Sequence, residues 1–257
     1  MPSIYHHPET YDLEHSGSEP DIDFFVSLAR QLRPERILDV ACGNGRITIP
    51  LTRAAVEWGG SVDGIDVSES MLADARRKSA GCEANYEKGD VRDLKVGEPY
   101  DLILSACGSL SHLLELDDQV AAWRSIGAAL QVGGRFVVAE VAPDYPEMAQ
   151  SFTVPPHAPL SWNGDFSKGE RRMLRYRSVR YESHSQRARV QYVYDLMEGE
   201  HREHFVNDYE AHVYFPNEMR LLFMVAGFEV ERVYGDFDGA DLKHGSRHLI
   251  FQGRKVK

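Results

Sequence analysis

The chain has 257 residues, 42% of them apolar and 27% charged, which is enough for one core or for a core with an inserted subdomain. Asp and Glu number 40 against 29 Lys and Arg, and the formal net charge of −11 argues against a general binder of nucleic-acid backbones. The apolar runs are far shorter than the roughly 20 residues of a membrane helix, and no signal peptide is visible. Three scattered cysteines predict neither a disulfide framework nor a cysteine-based zinc site. We therefore expect a protein of the reducing cytoplasm, with no membrane and no nucleic-acid partner.

The first half of the chain alternates short apolar runs with helical patterns, which is typical of β-α-β units and a parallel sheet. A helix that begins near Asp21 and ends before Pro34 precedes the first strand. The predicted strands of this half are 36–40, 61–66, 85–87, 100–106 and 135–141. Their continuous apolar character indicates a sheet that is covered on both faces.

The pattern changes near residue 142. Prolines make the stretch 141–160 a poor helix and a poor strand. Alternation of apolar and polar residues then predicts antiparallel strands around 190–196 and 205–215, with 171–181 as a weaker third. A helical pattern returns from Pro216 to Gly227, and the strand-like runs 228–234 and 248–252 close the chain.

A turn with two glycines follows the first predicted strand. Gly43 and Gly45 allow the backbone to approach a ligand closely, and the helix behind them offers free N–H groups at its start. The fingerprint of a dinucleotide site would need a third glycine where this chain has Thr48. The turn therefore indicates a ligand site but disfavours a nicotinamide cofactor.

Acidic residues end three successive predicted strands, namely Asp39, Asp66 and Asp90. In a doubly wound sheet the carboxyl ends of the strands line one crevice. Asp66 is spaced to accept hydrogen bonds from two ribose hydroxyls, and Asp90 is placed to reach an adenine amino group. The alternative for Asp39 is a carboxylate that only caps the turn.

Four motifs occur in order along the core: 39–45, 64–71, 88–93 and 130–136. In this order they resemble the motifs of class I S-adenosylmethionine-dependent methyltransferases. The resemblance covers roughly residues 36–141. It implies S-adenosylmethionine as cofactor and an α/β fold, a Rossmann-like doubly wound sheet of seven strands whose last strand is antiparallel.

The resemblance also implies roles for individual residues. The glycines contact the methionine part of the cofactor, Asp66 the ribose, and Met71 the adenine, although Met71 has ordinary helix core as its alternative. Ala41 stands where many members have a first glycine, and Tyr5 and Tyr11 are expected to fold over the cofactor. The expected cofactor-binding residues are Tyr11, Asp39, Ala41, Gly43, Gly45, Arg46, Asp66, Val67, Met71, Asp90, Val91 and Ser105.

Methyl transfer asks little of protein side chains, because the sulfonium already activates the methyl group. The protein supplies in-line positioning, desolvation and, for a protonated nucleophile, a base. We expect no metal. His112, in the loop that faces the methyl group in this family, is the candidate base; its alternative is a histidine that caps or packs on the next helix. Cys42 and Cys107 are expected to be buried small residues.

The insertion resembles the antiparallel lid of small-molecule enzymes such as the glycine and deoxysugar N-methyltransferases. We therefore divide the chain into a core, 1–140 with 215–257, and a substrate-binding β lid, 141–214. We expect methyl transfer to N or O of a small acceptor, with a pocket lined by Tyr192, Tyr194, His212 and Tyr214. Plain core packing is the alternative for these side chains, and a homodimer is one candidate quaternary state.

Two functions of other classes stay open. One is a nicotinamide-dependent oxidoreductase, and the other is a non-catalytic module that binds S-adenosylmethionine. A separate question concerns the seven arginines that lie between residues 171 and 189 with Glu182 as the single acid. They either pair with the acid-rich stretch 195–210 across strands or face an anionic acceptor.

Overall fold

A computed structural model gives the structure of the chain and describes residues 7–15, 19–152 and 158–257. The chain divides into two compact units. The larger unit combines Pro20–Ala142 with Tyr214–Lys257, and the smaller combines Met1–Glu19 with Pro143–Val213. The N-terminal stretch is thus grouped with the insertion, whereas the sequence interpretation assigned residues 1–140 to the core.

The larger unit is built on a seven-stranded sheet in the order β10-β11-β5-β4-β1-β2-β3. The last strand, β11, runs antiparallel to both of its neighbours, which confirms the predicted fold class. The strands are β1 (Arg36–Val40), β2 (Ser61–Asp66), β3 (Asn85–Lys88), β4 (Tyr100–Ser105), β5 (Leu130–Val141), β10 (Phe228–Tyr234) and β11 (His248–Lys255). The helices are α2 (Pro20–Leu32), α3 (Thr48–Ala55), α4 (Glu69–Lys78), α5 (Leu116–Ala129) and α7 (Pro216–Val225).

Apolar side chains cover both faces of this sheet. Along β5, Phe136 belongs to one buried cluster and Val137 to another, because successive side chains of a strand point to opposite faces. The first cluster includes Trp123 of α5, and the second includes Phe25 of α2. The continuous apolar strands of the sequence therefore correspond to a sheet that is packed on both sides.

The smaller unit contains a four-stranded antiparallel sheet in sequential order. Its strands are β6 (Ser161–Lys168), β7 (Arg171–Glu182), β8 (Arg187–Glu198) and β9 (His201–His212), and its helices are α1 (Pro8–Glu14) and α6 (Tyr145–Ser151). The sequence did not predict β6, an edge strand whose polar residues and Gly164 give no clear alternation.

Two further expectations about this unit were wrong. The proline-rich stretch does form a helix, α6, because Pro146 lies in the first turn, where proline is tolerated, and Asp144 caps Glu147 N at 2.9 Å. In addition, β9 ends at His212, so Tyr214 is not on an inserted strand and belongs to the larger unit.

Among the described residues, no helix combines the length and the apolar character that crossing a membrane requires.

Candidate active site

The glycine turn after β1 has three residues in the left-handed region of backbone space. Ala41, Gly43 and Gly45 have φ values of 58°, 56° and 80°. A Cβ atom on Gly45 would lie 2.7 Å from Tyr86 Oη, so a side chain there would collide with a buried ring. The turn is therefore closely packed against the protein interior at these glycines, at the carboxyl end of β1.

Asp66 closes this turn from the end of the neighbouring strand β2. Its Oδ2 accepts a hydrogen bond from Gly43 N and its Oδ1 accepts one from Ser68 N, each at 2.8 Å. The carboxylate is held by backbone amides and keeps further lone pairs for hydroxyl groups of a ligand. Val67, the next residue, is 62% exposed and offers an apolar surface beside it.

Asp39 lies beneath the turn rather than at its surface. It is buried, and its Oδ2 accepts a hydrogen bond from Thr48 Oγ1 at 2.7 Å. Burial raises the pKa of Asp39 to about 7, although the bond from Thr48 acts in the opposite direction. Thr48, which replaces the third glycine of a dinucleotide fingerprint, thus ties α3 to the end of β1.

Arg46 forms an ion pair with Asp21, which the sequence predicted only as the start of a helix. Its guanidinium donates to both carboxylate oxygens of Asp21, and Nη2 lies 2.8 Å from Cys107 Sγ. Burial would raise the pKa of Asp21, but the hydrogen bonds and charge of Arg46 hold it below its usual value. Contact of Arg46 with the cofactor remains a prediction.

Asp90 is held by Arg92, which the sequence did not predict as a residue of the site. Arg92 N donates to Asp90 Oδ1 at 2.9 Å, and the guanidinium contacts both carboxylate oxygens and also Asp118. Hydrogen bonding by Arg92 lowers the pKa of Asp90. Because Asp90 also caps the 3-10 turn that begins at Val91, its side chain is fixed at the end of β3.

Met71 is buried in the first turns of α4, whose N-cap is Ser68. A Cβ atom on Gly43 would lie 3.2 Å from Met71 Cε, so the thioether packs against the glycine turn. This position is compatible with both predicted roles of Met71, which are contact with the adenine and packing in the helix core. Tyr11 lies on α1, where its ring stacks on His15, and Tyr5 lies outside the described residues.

The end of β4 supplies a buried hydroxyl and the candidate base. Ser105 is fully buried, and its Oγ has no hydrogen-bond partner among the described residues. After it, Cys107 and Gly108 lead into a 3-10 turn, Ser109–His112. Surrounding protein atoms lower the pKa of His112, which keeps its imidazole neutral at pH 7 while the residue stays exposed.

The cysteines are free thiols, and their environments differ. Cys42 is buried, as expected, and burial raises the pKa of its thiol. Cys107 is exposed rather than buried; it has a left-handed backbone, and its thiol lies beside Arg46.

Three of the four expected acceptor-pocket residues belong to the smaller unit, and Tyr214 belongs to the larger unit. Tyr192 and Tyr194 are neighbours on β8, but Tyr194 donates to Glu14 and Tyr192 lies under the Arg175 guanidinium. His212 lies at the end of β9, and Tyr214 is 1% exposed in the core of the larger unit. Lining of an acceptor pocket by these side chains remains a prediction.

Most of the seven arginines between residues 171 and 189 have acidic partners. This favours ion pairing within the smaller unit over an exposed site for an anionic acceptor. Three of these partners belong to the stretch 195–210, and three lie elsewhere in the smaller unit. The pairs are Arg171–Glu198, Arg172–Asp165, Arg175–Glu14, Arg177–Glu147, Arg187–Glu210 and Arg189–Asp208.

Residues 37–134 match the family described as a methyltransferase domain. A Streptomyces fradiae relative, dTDP-3-amino-3,6-dideoxy-alpha-D-glucopyranose N,N-dimethyltransferase, is 28% identical and covers 92% of this chain and 89% of its own. A Streptomyces venezuelae relative, dTDP-3-amino-3,4,6-trideoxy-alpha-D-glucopyranose N,N-dimethyltransferase, is 33% identical over 51% of this chain and 56% of its own, just over half its length. The solved structure of Streptomyces venezuelae DesVI superposes with a TM-score of 0.78 at 23% identity, covering 97% of this chain and 98% of that chain.

This chain is an S-adenosylmethionine-dependent methyltransferase, with residues 37–134 as its methyltransferase domain. The residues present fit S-adenosylmethionine, because the Asp66 carboxylate is fixed by the Gly43 amide with lone pairs left for hydroxyl groups, and the exposed Val67 follows it in the chain. Ser105 Oγ, which has no hydrogen-bond partner among the described residues, lies at the end of β4 on the same edge of the sheet. Binding of the cofactor at the carboxyl ends of β1, β2 and β4 is our prediction.

Proposed function

We propose that the methyltransferase transfers a methyl group to the amino nitrogen of a small acceptor, an amino sugar carried on a nucleoside diphosphate. One observation carries this proposal: the similarity to the Streptomyces fradiae amino-sugar N,N-dimethyltransferase extends over 92% of this chain. That alignment is too long to involve the core alone, so it includes residues of the inserted sheet. Inserted elements over a cofactor-binding sheet are where acceptor specificity is set.

When bound, S-adenosylmethionine supplies a methyl group on a positively charged sulfur. The glycine turn and Asp66 would fix the two ends of the cofactor, so that the methyl group points to one place. The acceptor nitrogen forms the new N–C bond with its lone pair as the S–C bond breaks, and it must then lose a proton. His112 is neutral at pH 7 and is the side chain that we assign to take that proton.

The charge of the chain favours a small acceptor over a polynucleotide. The net charge is −11, and most of the arginines between residues 171 and 189 are paired with acids. A polynucleotide would need many free cations for its phosphates, whereas the proposed acceptor carries a single diphosphate. The cytoplasm and the absence of a nucleic-acid partner remain our predictions.

The proposal is tested by incubating the protein with 13C-methyl S-adenosylmethionine and a panel of dTDP-amino sugars, their hydroxyl analogues, RNA and a protein extract. We expect label on the amino nitrogen, seen as an added methyl mass and an N-methyl carbon resonance. A matched His112→Gln variant should bind cofactor normally but turn over about 100-fold more slowly. Label on hydroxyl oxygen, RNA or protein, with none on the amino sugars, would contradict the proposed acceptor.

A further inference from the structure

The backbone of Leu110, in the turn that carries His112, is held at two points by buried side chains. Its N–H donates to Oε1 of Glu140 at 3.1 Å, and its carbonyl oxygen accepts a hydrogen bond from the Tyr214 hydroxyl at 3.1 Å. Glu140 lies near the end of β5, and Tyr214 precedes α7. Two side chains of the core thus hold the two successive peptide groups that flank Leu110.

The turn needs such anchors because the backbone before it is strained. Cys107 and Gly108 both have positive φ, 58° and 68°, and a non-glycine residue in that region costs about 1–2 kcal/mol. Gly108 N donates to the carbonyl of Ala139 at 3.0 Å, again on β5. A Cβ atom on Gly108 would lie 3.4 Å from Glu140 Oε2, so the turn also approaches the carboxyl group closely.

Glu140 is costly to bury. It is 2% exposed, and its Oε2 has no hydrogen-bond partner among the described residues. Burial raises its pKa to about 8, although the N–H groups of Leu110 and Ser111 act in the opposite direction. Tyr214 is a titratable group that interacts with Glu140, and burial and Glu140 raise the pKa of Tyr214. His112 lies on the same turn as Leu110. At pH 7 Glu140 is a neutral acid.

We propose that Glu140 is a positioning residue for methyl transfer, which holds the Ser109–His112 turn on β5 and so sets where the His112 ring lies. The inference rests on the proposed function, because it takes His112 as the base. A leucine at this place would fill the core without the cost of burying a carboxyl group. What the acid adds is the hydrogen bond to the Leu110 amide.

Amide hydrogen exchange tests the Glu140–Leu110 contact and needs no acceptor. Glu140→Gln keeps an oxygen for Leu110 N and resembles the neutral acid, whereas Glu140→Leu removes the bond. The control is Gln252→Leu, which removes a buried polar side chain from the neighbouring strand β11. We expect exchange at Leu110 and Ser111 to become about tenfold faster in Glu140→Leu, and to stay at the wild-type rate in the other two variants. Unchanged exchange in Glu140→Leu, or equal acceleration in the control, would overturn the proposal.

The coupling to His112 is tested by following its ring resonances by NMR as a function of pH. We expect a second inflection near pH 8 in the wild type, from Glu140, and its loss in Glu140→Gln. This measurement compares only the wild type with Glu140→Gln, so it stays valid if Glu140→Leu does not fold. Persistence of the inflection in Glu140→Gln would overturn the proposal.

Steady-state kinetics then test whether the Glu140–Leu110 contact affects methyl transfer. Once an acceptor is in hand, Glu140→Leu should lower kcat about tenfold with little change in KM for S-adenosylmethionine, while Glu140→Gln stays close to wild type at pH 7. An equal loss in both variants would overturn the positioning role. A wild-type protein that methylates no amino sugar would contradict the proposed function and leave the exchange and NMR results standing.

Discussion

Ala41 adopts a left-handed backbone conformation at the position where related turns carry a glycine. With φ at 58°, its Cβ is strained in a way that glycine is not. We expect Ala41→Gly to raise the free energy of unfolding by about 1 kcal/mol, measured by urea denaturation.

The contrasting substitution in the same turn is Gly45→Ala. It combines a φ of 80° with a Cβ that would meet Tyr86 Oη at 2.7 Å. This variant should lose about 2–3 kcal/mol or more. If both variants changed stability in the same direction, the strain described for this turn would be absent.

Asp66 is the side chain on which cofactor binding depends most. We expect Asp66→Ala to weaken S-adenosylmethionine binding at least about tenfold by calorimetry, because it removes a charged acceptor and frees the Gly43 and Ser68 amides. Asp63→Ala is the matched control, since Asp63 lies on the same strand but accepts from the Tyr100 hydroxyl. Wild-type affinity in Asp66→Ala would show that the site is misplaced.

Asp39 gives the protein a predictable dependence of stability on pH. Its pKa is about 7 in the folded protein, raised by burial, against 3.8 for an ordinary carboxyl. The folded protein therefore keeps a proton that the unfolded chain releases, and stability falls as pH rises from about 4 to 7.

Asp39→Asn cannot ionise and keeps a partner for Thr48. The free energy of unfolding of the wild type should fall more between about pH 5 and pH 7.5 than that of Asp39→Asn. Parallel profiles for the two proteins would mean that Asp39 is ionised throughout this range.

At the scale of elements, α1 packs on the sheet of the smaller unit through Leu13 and is tied to it by one acid, Glu14. Glu14 pairs with Arg175 and accepts from the Tyr194 hydroxyl, and all three groups are largely buried. Removing one partner of a buried ion pair leaves the other charge uncompensated, at a cost of about 3–5 kcal/mol.

We therefore expect Glu14→Ala to release α1, seen as faster proteolysis and faster amide exchange over Pro8–Glu14. Glu9→Ala, on the same helix but with an exposed partner, His7, should change neither. Equal protection in both variants would show that Glu14 does not hold the helix.

The elements that the sequence predicted are those with a strong periodic signal. The core strands follow from continuous apolar runs, and β8 and β9 from their alternation. By contrast, β6 is a polar edge strand, α6 depends on a proline in its first turn, and α1 spans only Pro8–Glu14. Such elements are stabilised by caps and by tertiary contacts, which local patterns do not contain.

For the whole molecule, the sequence predicted the residues of a cofactor edge but not the contacts that support them. The glycine turn and Asp66 follow from motif spacing, whereas the partners Asp21 of Arg46 and Arg92 of Asp90 depend on packing between distant elements. The placement of Tyr214 was wrong because the alternation of β9 continues in sequence beyond the strand's end. Periodicity marks the faces of an element more reliably than its boundaries.

The amino-nitrogen acceptor and the role of Asp66 in cofactor binding are tested together by product analysis after transfer from 13C-methyl S-adenosylmethionine to a dTDP-amino sugar, with Asp66→Ala and Asp63→Ala in parallel. We expect an N-methylated sugar with the wild type and Asp63→Ala, and at least about tenfold less product with Asp66→Ala at limiting cofactor. Methyl transfer to oxygen only would contradict the proposed acceptor, and equal product from Asp66→Ala would contradict the proposed cofactor site.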